Sequence, residues 1–222
     1  MQHHYPFQRL LNPWIFLSVL MLGLMSFFFL DQWVASYVEH FSKYDLYISY
    51  GVHRLFKGAI VLAVLLMVNL IAIVYKRDSK LLSYTLILLV LFVVENFFAY
   101  HAKNILGRAR PTLWIHEHIY GFFPFHHGHD YTSFPSGHTL NIMVIFAYLA
   151  MVFKPYRVLI LSLAGILSLS RVWGDYHYLS DWFVTSYLTL SFIPLILLGV
   201  DKFPQHAFLK RIKQGSKLLQ NQ

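Results

Sequence analysis

Three short polar clusters interrupt an otherwise apolar chain: Lys103-Asn-Ile-Leu-Gly-Arg-Ala-Arg110-Pro111, Pro135-Ser136-Gly137-His138, and Ser170-Arg171 followed by His177 and Asp181. Together they hold the residue types needed to grip and transfer a phosphoryl group. Displacement at phosphorus spreads charge over the equatorial oxygens, so catalysis depends largely on fixed donors placed around them. Lys103, Arg110 and Arg171 can supply that cage, and an arginine's planar fork donates two parallel hydrogen bonds to a phosphate. One arginine alone would read as a charge snorkelling from a helix end. Three cations beside two histidines favour the cage. Arg108 is the member whose place stays open, with an interfacial charge as its other reading.

In the second cluster, Ser136 can cap a helix that follows it, leaving backbone N–H groups aimed at the loop side. Such a helix start attracts anions, and Gly137 lets a phosphate come close to the backbone. Taken alone, the pattern is an ordinary cap followed by an interfacial histidine. His177 and Asp181 are four residues apart, which on a helix puts them on one face with the carboxylate able to accept from an imidazole N–H. The other nitrogen is then left as a nucleophile, and His138 can protonate the departing alkoxide and afterwards activate water. A His–Asp pair that merely ties a helix end is the bland alternative. Arg171, shortly before His177, favours the functional one.

Elements that could position these clusters follow from composition. With 222 residues, 57% of them hydrophobic and 13% charged, the chain is expected to form one domain over residues 1–222 that is too apolar for an ordinary soluble protein. Six stretches approach the length of a membrane helix: 14–30, 55–75, 81–100, 138–153, 158–173 and 182–200. The fourth and fifth are short, so their ends should stop below the surface or run on through the motif residues. The expected fold class is all-α, a polytopic bundle of six transmembrane helices with its core at about 55–200 and cytoplasmic tails at 1–13 and 201–222. A basic start before an apolar run is also a signal-peptide pattern, but Val34-Ala35-Ser36 is a weak cleavage site and a retained first helix is preferred.

Lys76, Arg77 and Lys80, then Lys154 and Arg157, then Lys202, Lys210, Arg211, Lys213 and Lys217 fall on one side of such a bundle, with Arg9, His3 and His4 at its start. The positive-inside rule makes that side cytoplasmic and puts all three clusters on the opposite face. The net charge of +8 is therefore explained by topology rather than by a nucleic-acid surface. No cysteine is present, which excludes disulfides and thiolate chemistry. Residues 31–54, with Asp31, Glu39, Lys43 and Asp45 among aromatics, fit an interfacial amphipathic segment, and Lys57 a snorkelling charge. Glu95 is a carboxylate inside an apolar run, placed to order Lys103 or to make a structural hydrogen bond. Pro194 marks a kink in the last helix. The loop 112–134 should cover the site, its aromatics suiting the membrane interface. Its histidines, His116, His118, His126, His127 and His129, match no fixed ligand spacing, so solvent or headgroup contact is preferred over a metal.

The pattern Lys-x6-Arg-Pro, Pro-Ser-Gly-His and Ser-Arg-x5-His-x3-Asp resembles the type 2 phosphatidic acid phosphatase (PAP2) superfamily in order and spacing, over about residues 81–200. That resemblance implies a six-helix membrane core, no metal or other cofactor, and a phosphohistidine intermediate. By carry-over His177 is the expected nucleophile, Asp181 its partner and His138 the acid. Lys103, Arg110, Ser136, Gly137 and Arg171 are the expected phosphate binders. Soluble vanadium-dependent haloperoxidases share similar motifs, but the membrane segments argue against that activity. The finer pattern from Gly107 to His138 is similar to bacterial enzymes acting on lipid A, undecaprenyl diphosphate or phosphatidylglycerophosphate. The expected activity is hydrolysis of a lipid phosphomonoester or diphosphate at the outer face of a bacterial inner membrane. A lipid phosphotransferase and a non-enzymatic lipid or anion transporter remain as rival classes.

Overall fold

Asn12 caps the first long helix by accepting from the Trp14 N–H at 2.9 Å, and Pro13 takes the first helical position, where its missing N–H is harmless. The computed structural model describes residues 7–42, 51–52, 54–71, 74, 79–126 and 128–202. The expectations for His3, His4, Lys43, Asp45, Lys76, Arg77, His127, Lys210, Arg211, Lys213 and Lys217 fall outside them. Helix α1 (Pro13–Met25) passes through a π-helical turn, Ser26–Leu30, into α2 (Asp31–Ser42). Then come α3 (Gly58–Ile71), α4 (Ser79–Leu106), α5 (Pro111–Glu117), α6 (Gly137–Val152), α7 (Arg157–Trp173) and α8 (Leu179–Lys202). One isolated bridge, Arg108 to Phe122, is the β pairing among the described residues. The fold is all-α.

Among the described residues, four helices are long and apolar enough to cross a membrane: Pro13–His40, Thr85–Leu106, Lys154–Trp173 and Leu179–Ile196. α3 and α6 are apolar but shorter. Side chains are distributed inside out, as lipid requires. Trp14, Phe16, Met21, Phe28 and Phe29 are exposed, whereas Asp31, Glu95, Arg108, Asp181 and Thr185 are buried. The sequence separates an apolar span at 14–30 from an interfacial segment beyond it, and the structure corrects this. The helix runs on to Ser42, and the π-helical turn leads into Asp31, which is wholly buried instead of lying at an interface.

Helix α6 is the centre of the packing. Its Val144 and Ala147 are fully buried in one cluster with Leu91 and Phe92 of α4 and Ile193 of α8. Hydrogen bonds between helices add to this packing. Thr85 donates to Asn69 at 2.9 Å between α4 and α3, and the Trp182 indole donates to Ser168 at 2.8 Å between α8 and α7. The last turns of α4 and α7 and the first turns of α6 and α8 meet at one end, where all three polar clusters lie. Gly107 ends α4 at φ 57, and a Cβ there would fall 1.8 Å from the Phe123 carbonyl oxygen. Only glycine lets the chain turn this tightly into the loop that returns over the site.

Candidate active site

The meeting helix ends enclose a cavity of about 280 Å³ lined by Lys103, Arg110, Gly137, His138, Arg171 and His177 among others. Six of the eight residues expected at the site therefore share one space. Lys103 and Arg110 are held by neutral oxygens. Lys103 donates to the Thr132 carbonyl at 2.7 Å. Arg110 donates to the carbonyls of His129 at 2.8 Å and Tyr176 at 3.1 Å, and to the Thr132 hydroxyl at 3.2 Å. The Arg171 guanidinium lies 3.9 Å from the Tyr176 ring centre, and its Nε and Nη1 are buried without a hydrogen-bond partner. Carbonyl, hydroxyl and ring contacts hold these side chains but leave their charge uncancelled, so the cavity is built for an anion.

Arg108 has the opposite environment. It is 2% exposed and bridges two fully buried carboxylates, Asp31 at 2.6 Å and Asp181. Burial alone would lower its pKa, but Asp181 and then Asp31 more than offset this and raise it. The rings of Phe27, Phe122 and Tyr178 lie within 5.1 Å of its guanidinium. Asp31 also accepts from the Ser26 hydroxyl, the Tyr120 hydroxyl, and the Ser180 backbone and hydroxyl. Arg108 is thus a neutralised tie between α2 and α8, not an interfacial charge. Tyr120 and Phe122 of the covering loop serve this tie, a role that aromatic content alone did not indicate.

His177 and Asp181 depart from the expected pairing. α8 begins at Leu179, so His177 precedes the helix. The imidazole Nδ1 lies 2.6 Å from the Ser133 carbonyl and 3.8 Å from Asp181. A carbonyl can only accept, so Nδ1 carries the proton and Nε2 keeps its lone pair. Asp181 instead accepts from the Ser133 hydroxyl at 2.6 Å, from the Tyr178 N–H at 3.0 Å and from Arg108. The Tyr178 bond is the carboxylate half of a capping box, the third helical residue reaching back to the residue before the helix. Asp181 therefore fixes Ser133, and Ser133 orients His177. Burial, then the charges of Arg110, Lys103 and Arg171, hold the His177 pKa well below 6.5, so its imidazole is neutral.

Ser136 caps the helix as its position suggested, but it differs from the expected phosphate binder. It is fully buried and caps α6, accepting from the Thr139 N–H at 3.4 Å and the Thr139 hydroxyl at 2.9 Å, while its own N–H donates to Thr185 at 3.1 Å. Its hydroxyl supports the helix start rather than lining the cavity. Gly137 does line it, so the positive end of the α6 dipole abuts the space. A Cβ on Gly137 would meet nothing within 4 Å. Gly137→Ala is accordingly expected to leave the melting temperature unchanged while its methyl crowds the anion space. A drop in kcat/KM of about tenfold or more is expected, read by comparing steady-state kinetics with thermal unfolding.

Asn96, Asn141 and Tyr176 also line the cavity, and the sequence did not single them out; His129, named among the loop histidines, lines it as well. Asn96 donates to Asn141 at 3.0 Å, and Asn141 donates to the Phe56 carbonyl at 3.0 Å. A signal was present for the asparagines. Asn96 is seven residues before Lys103, and Asn141 three after His138, spacings that share a helical face. Among the described residues no three His, Asp or Glu side chains form a metal-binding group.

Over 82 residues the chain is 43% identical to lipid A 1-phosphatases of Rhizobium johnstonii and Rhizobium etli. The match takes in 36% of this chain and 32% and 34% of those proteins, so the chain spans about a third of their length. The fold matches the crystal structure of a transmembrane PAP2 type phosphatidylglycerolphosphate phosphatase from Bacillus subtilis, with a TM-score of 0.54 and 18% identity. That match covers 90% of this chain and 98% of the other. A family model described as PAP2 superfamily matches residues 80–204.

Proposed function

The chain belongs to the PAP2 superfamily, and from that premise we propose that it is a membrane phosphatase acting on a lipid phosphomonoester or diphosphate. The observation that carries this reading is a neutral imidazole with a free Nε2 in a cavity whose cations are not cancelled by carboxylates. His177 Nε2 attacks phosphorus, and the bond to the lipid oxygen breaks. His138 gives that oxygen its proton. Water, deprotonated by His138, then attacks the phosphohistidine, releasing inorganic phosphate and restoring His177. Lys103, Arg110, Arg171 and the start of α6 hold the three equatorial oxygens throughout.

Four long apolar helices and the two shorter ones, α3 and α6, make a six-crossing bundle with the cavity at one end. The basic loops of the sequence favour the cytoplasm for the other end, which sets the cavity at the outer face of a bacterial inner membrane. The names of the relatives point to lipid A or phosphatidylglycerophosphate as substrates to test first.

Purified protein is expected to release phosphate from at least one of lipid A, undecaprenyl diphosphate, phosphatidylglycerophosphate and phosphatidic acid in detergent. Phosphate release from none of them would overturn the proposal. Label moving from the lipid to an acceptor lipid, without free phosphate, would assign a transferase instead. EDTA is expected to leave the rate unchanged, and inhibition reversed by a divalent ion would refute the metal-free scheme.

A further inference from the structure

A second cavity, of about 240 Å³, lies beside the first, between α4, α6 and α8. Its wall is apolar, with Phe98, Ala99, Ala102, Phe134, Pro135, Leu140, Leu188 and Phe192, and it contains one ionisable group, Glu95. Phe98 and Phe192 pack against each other at 5.7 Å, and Phe98 is more than half exposed, so the cavity borders the apolar surface. The two cavities use adjacent faces of α4. Asn96 and Lys103 line the first; Glu95, Phe98, Ala99 and Ala102 line the second. They likewise share α6, through Gly137 and Asn141 on one side and Leu140 on the other.

Glu95 is unexplained by packing or by the reaction. It is 4% exposed, and neither carboxyl oxygen has a hydrogen-bond partner, although the Thr189 hydroxyl lies beside it. A buried carboxyl left in this state is costly and calls for a partner. It precedes Lys103 by eight residues, which places it about 12 Å along the helix from the phosphate cage at 1.5 Å per residue. A headgroup amine has no reason to reach that depth in hydrocarbon. A polar substituent on an acyl chain lies there naturally.

We propose that this cavity is a subsite for an acyl chain bearing a hydroxyl group, with Glu95 as the group that recognises the hydroxyl. The chain descends beside α4 while its phosphate occupies the cage, so the assignment rests on the phosphatase reading above and adds the class of lipid. Thr189 supplies a second polar contact at the same level. An unsubstituted chain fits the apolar wall but leaves the carboxyl unpartnered, which is the basis for discrimination.

The test compares kcat/KM for 1-(3-hydroxyacyl)-glycerol 3-phosphate with that for its unsubstituted chain-matched analogue. Wild type is expected to favour the hydroxylated lipid roughly five- to tenfold. Glu95→Gln, which still offers a hydrogen-bonding group, is expected to keep most of that preference, and Glu95→Leu to bring the ratio to one. Using a ratio removes any loss of folded protein from the comparison. A ratio of one in wild type, or an unchanged ratio in Glu95→Leu, would overturn the subsite while leaving the phosphatase reading intact. Phosphate release from neither lipid, nor from the wider panel, would remove both.

Discussion

His177→Ala is expected to reduce phosphate release by about 10⁴-fold or more, because it removes the imidazole that forms the covalent intermediate in the proposed mechanism. Alanine also strands the Ser133 carbonyl, which costs about 1–3 kcal/mol as an unpaired buried acceptor. His177→Asn separates the two effects, since its amide can donate to the same carbonyl without supplying a nucleophile. Both variants should be inactive, and the asparagine variant should melt closer to wild type. Substantial turnover by His177→Asn would refute the nucleophile assignment. The same histidine predicts a dependence on pH. Its folded pKa lies below the ordinary value of 6.5, so below 6.5 the unfolded chain takes up a proton that the folded chain does not. The stability it contributes is complete above pH 6.5 and is lost as pH falls towards the folded value. Wild type should therefore lose more melting temperature between pH 7 and 5 than His177→Asn, and equal losses would contradict a neutral buried imidazole.

Arg108→Ala should be strongly destabilising. It leaves Asp31 and Asp181, both fully buried, without their shared counter-charge, and breaking a buried ion pair from one side costs about 3–5 kcal/mol. For a protein of this size that is a fall in melting temperature of roughly 10 °C. Activity should fall too, because Asp181 holds Ser133 and Ser133 orients His177. Pairing the change with Asp31→Asn removes one orphaned charge and should recover part of the stability, a coupling that a double-mutant cycle measures. A melting temperature within a few degrees of wild type for Arg108→Ala would show that the bridge is not a structural tie.

Much of the site was legible because its chemistry is local in sequence. The three clusters supply the cations, the helix start and the histidines, and apolar runs between them dictate helices whose ends must meet. Asp181 was found for the wrong contact. A four-residue spacing suggests a shared helical face, but α8 starts two residues after His177, and a capping carboxylate serves its own helix first. Asp31 was invisible as a site-supporting residue because its partner lies 77 residues away, and nothing in a single chain marks a pairing at that range. Arg108 was ambiguous for a related reason. Two residues from Arg110, it looks like more of the same charge, and only the carboxylates brought in by other helices set it apart. Asn96 and Asn141 could have been read from helical spacing once the helices were drawn.

The long reach between Asp31 and Arg108 also bears on biogenesis. A ribosome delivers the first hydrophobic helix to the membrane with a carboxyl group on it well before the matching guanidinium has been synthesised. Until then that helix carries an acid without its counter-charge, and it can settle to its final depth only after α4 and the following loop have entered. Insertion of the amino-terminal segment is therefore completed late, by residues made later, and a translation arrest before Arg108 should yield a first helix that is still extractable.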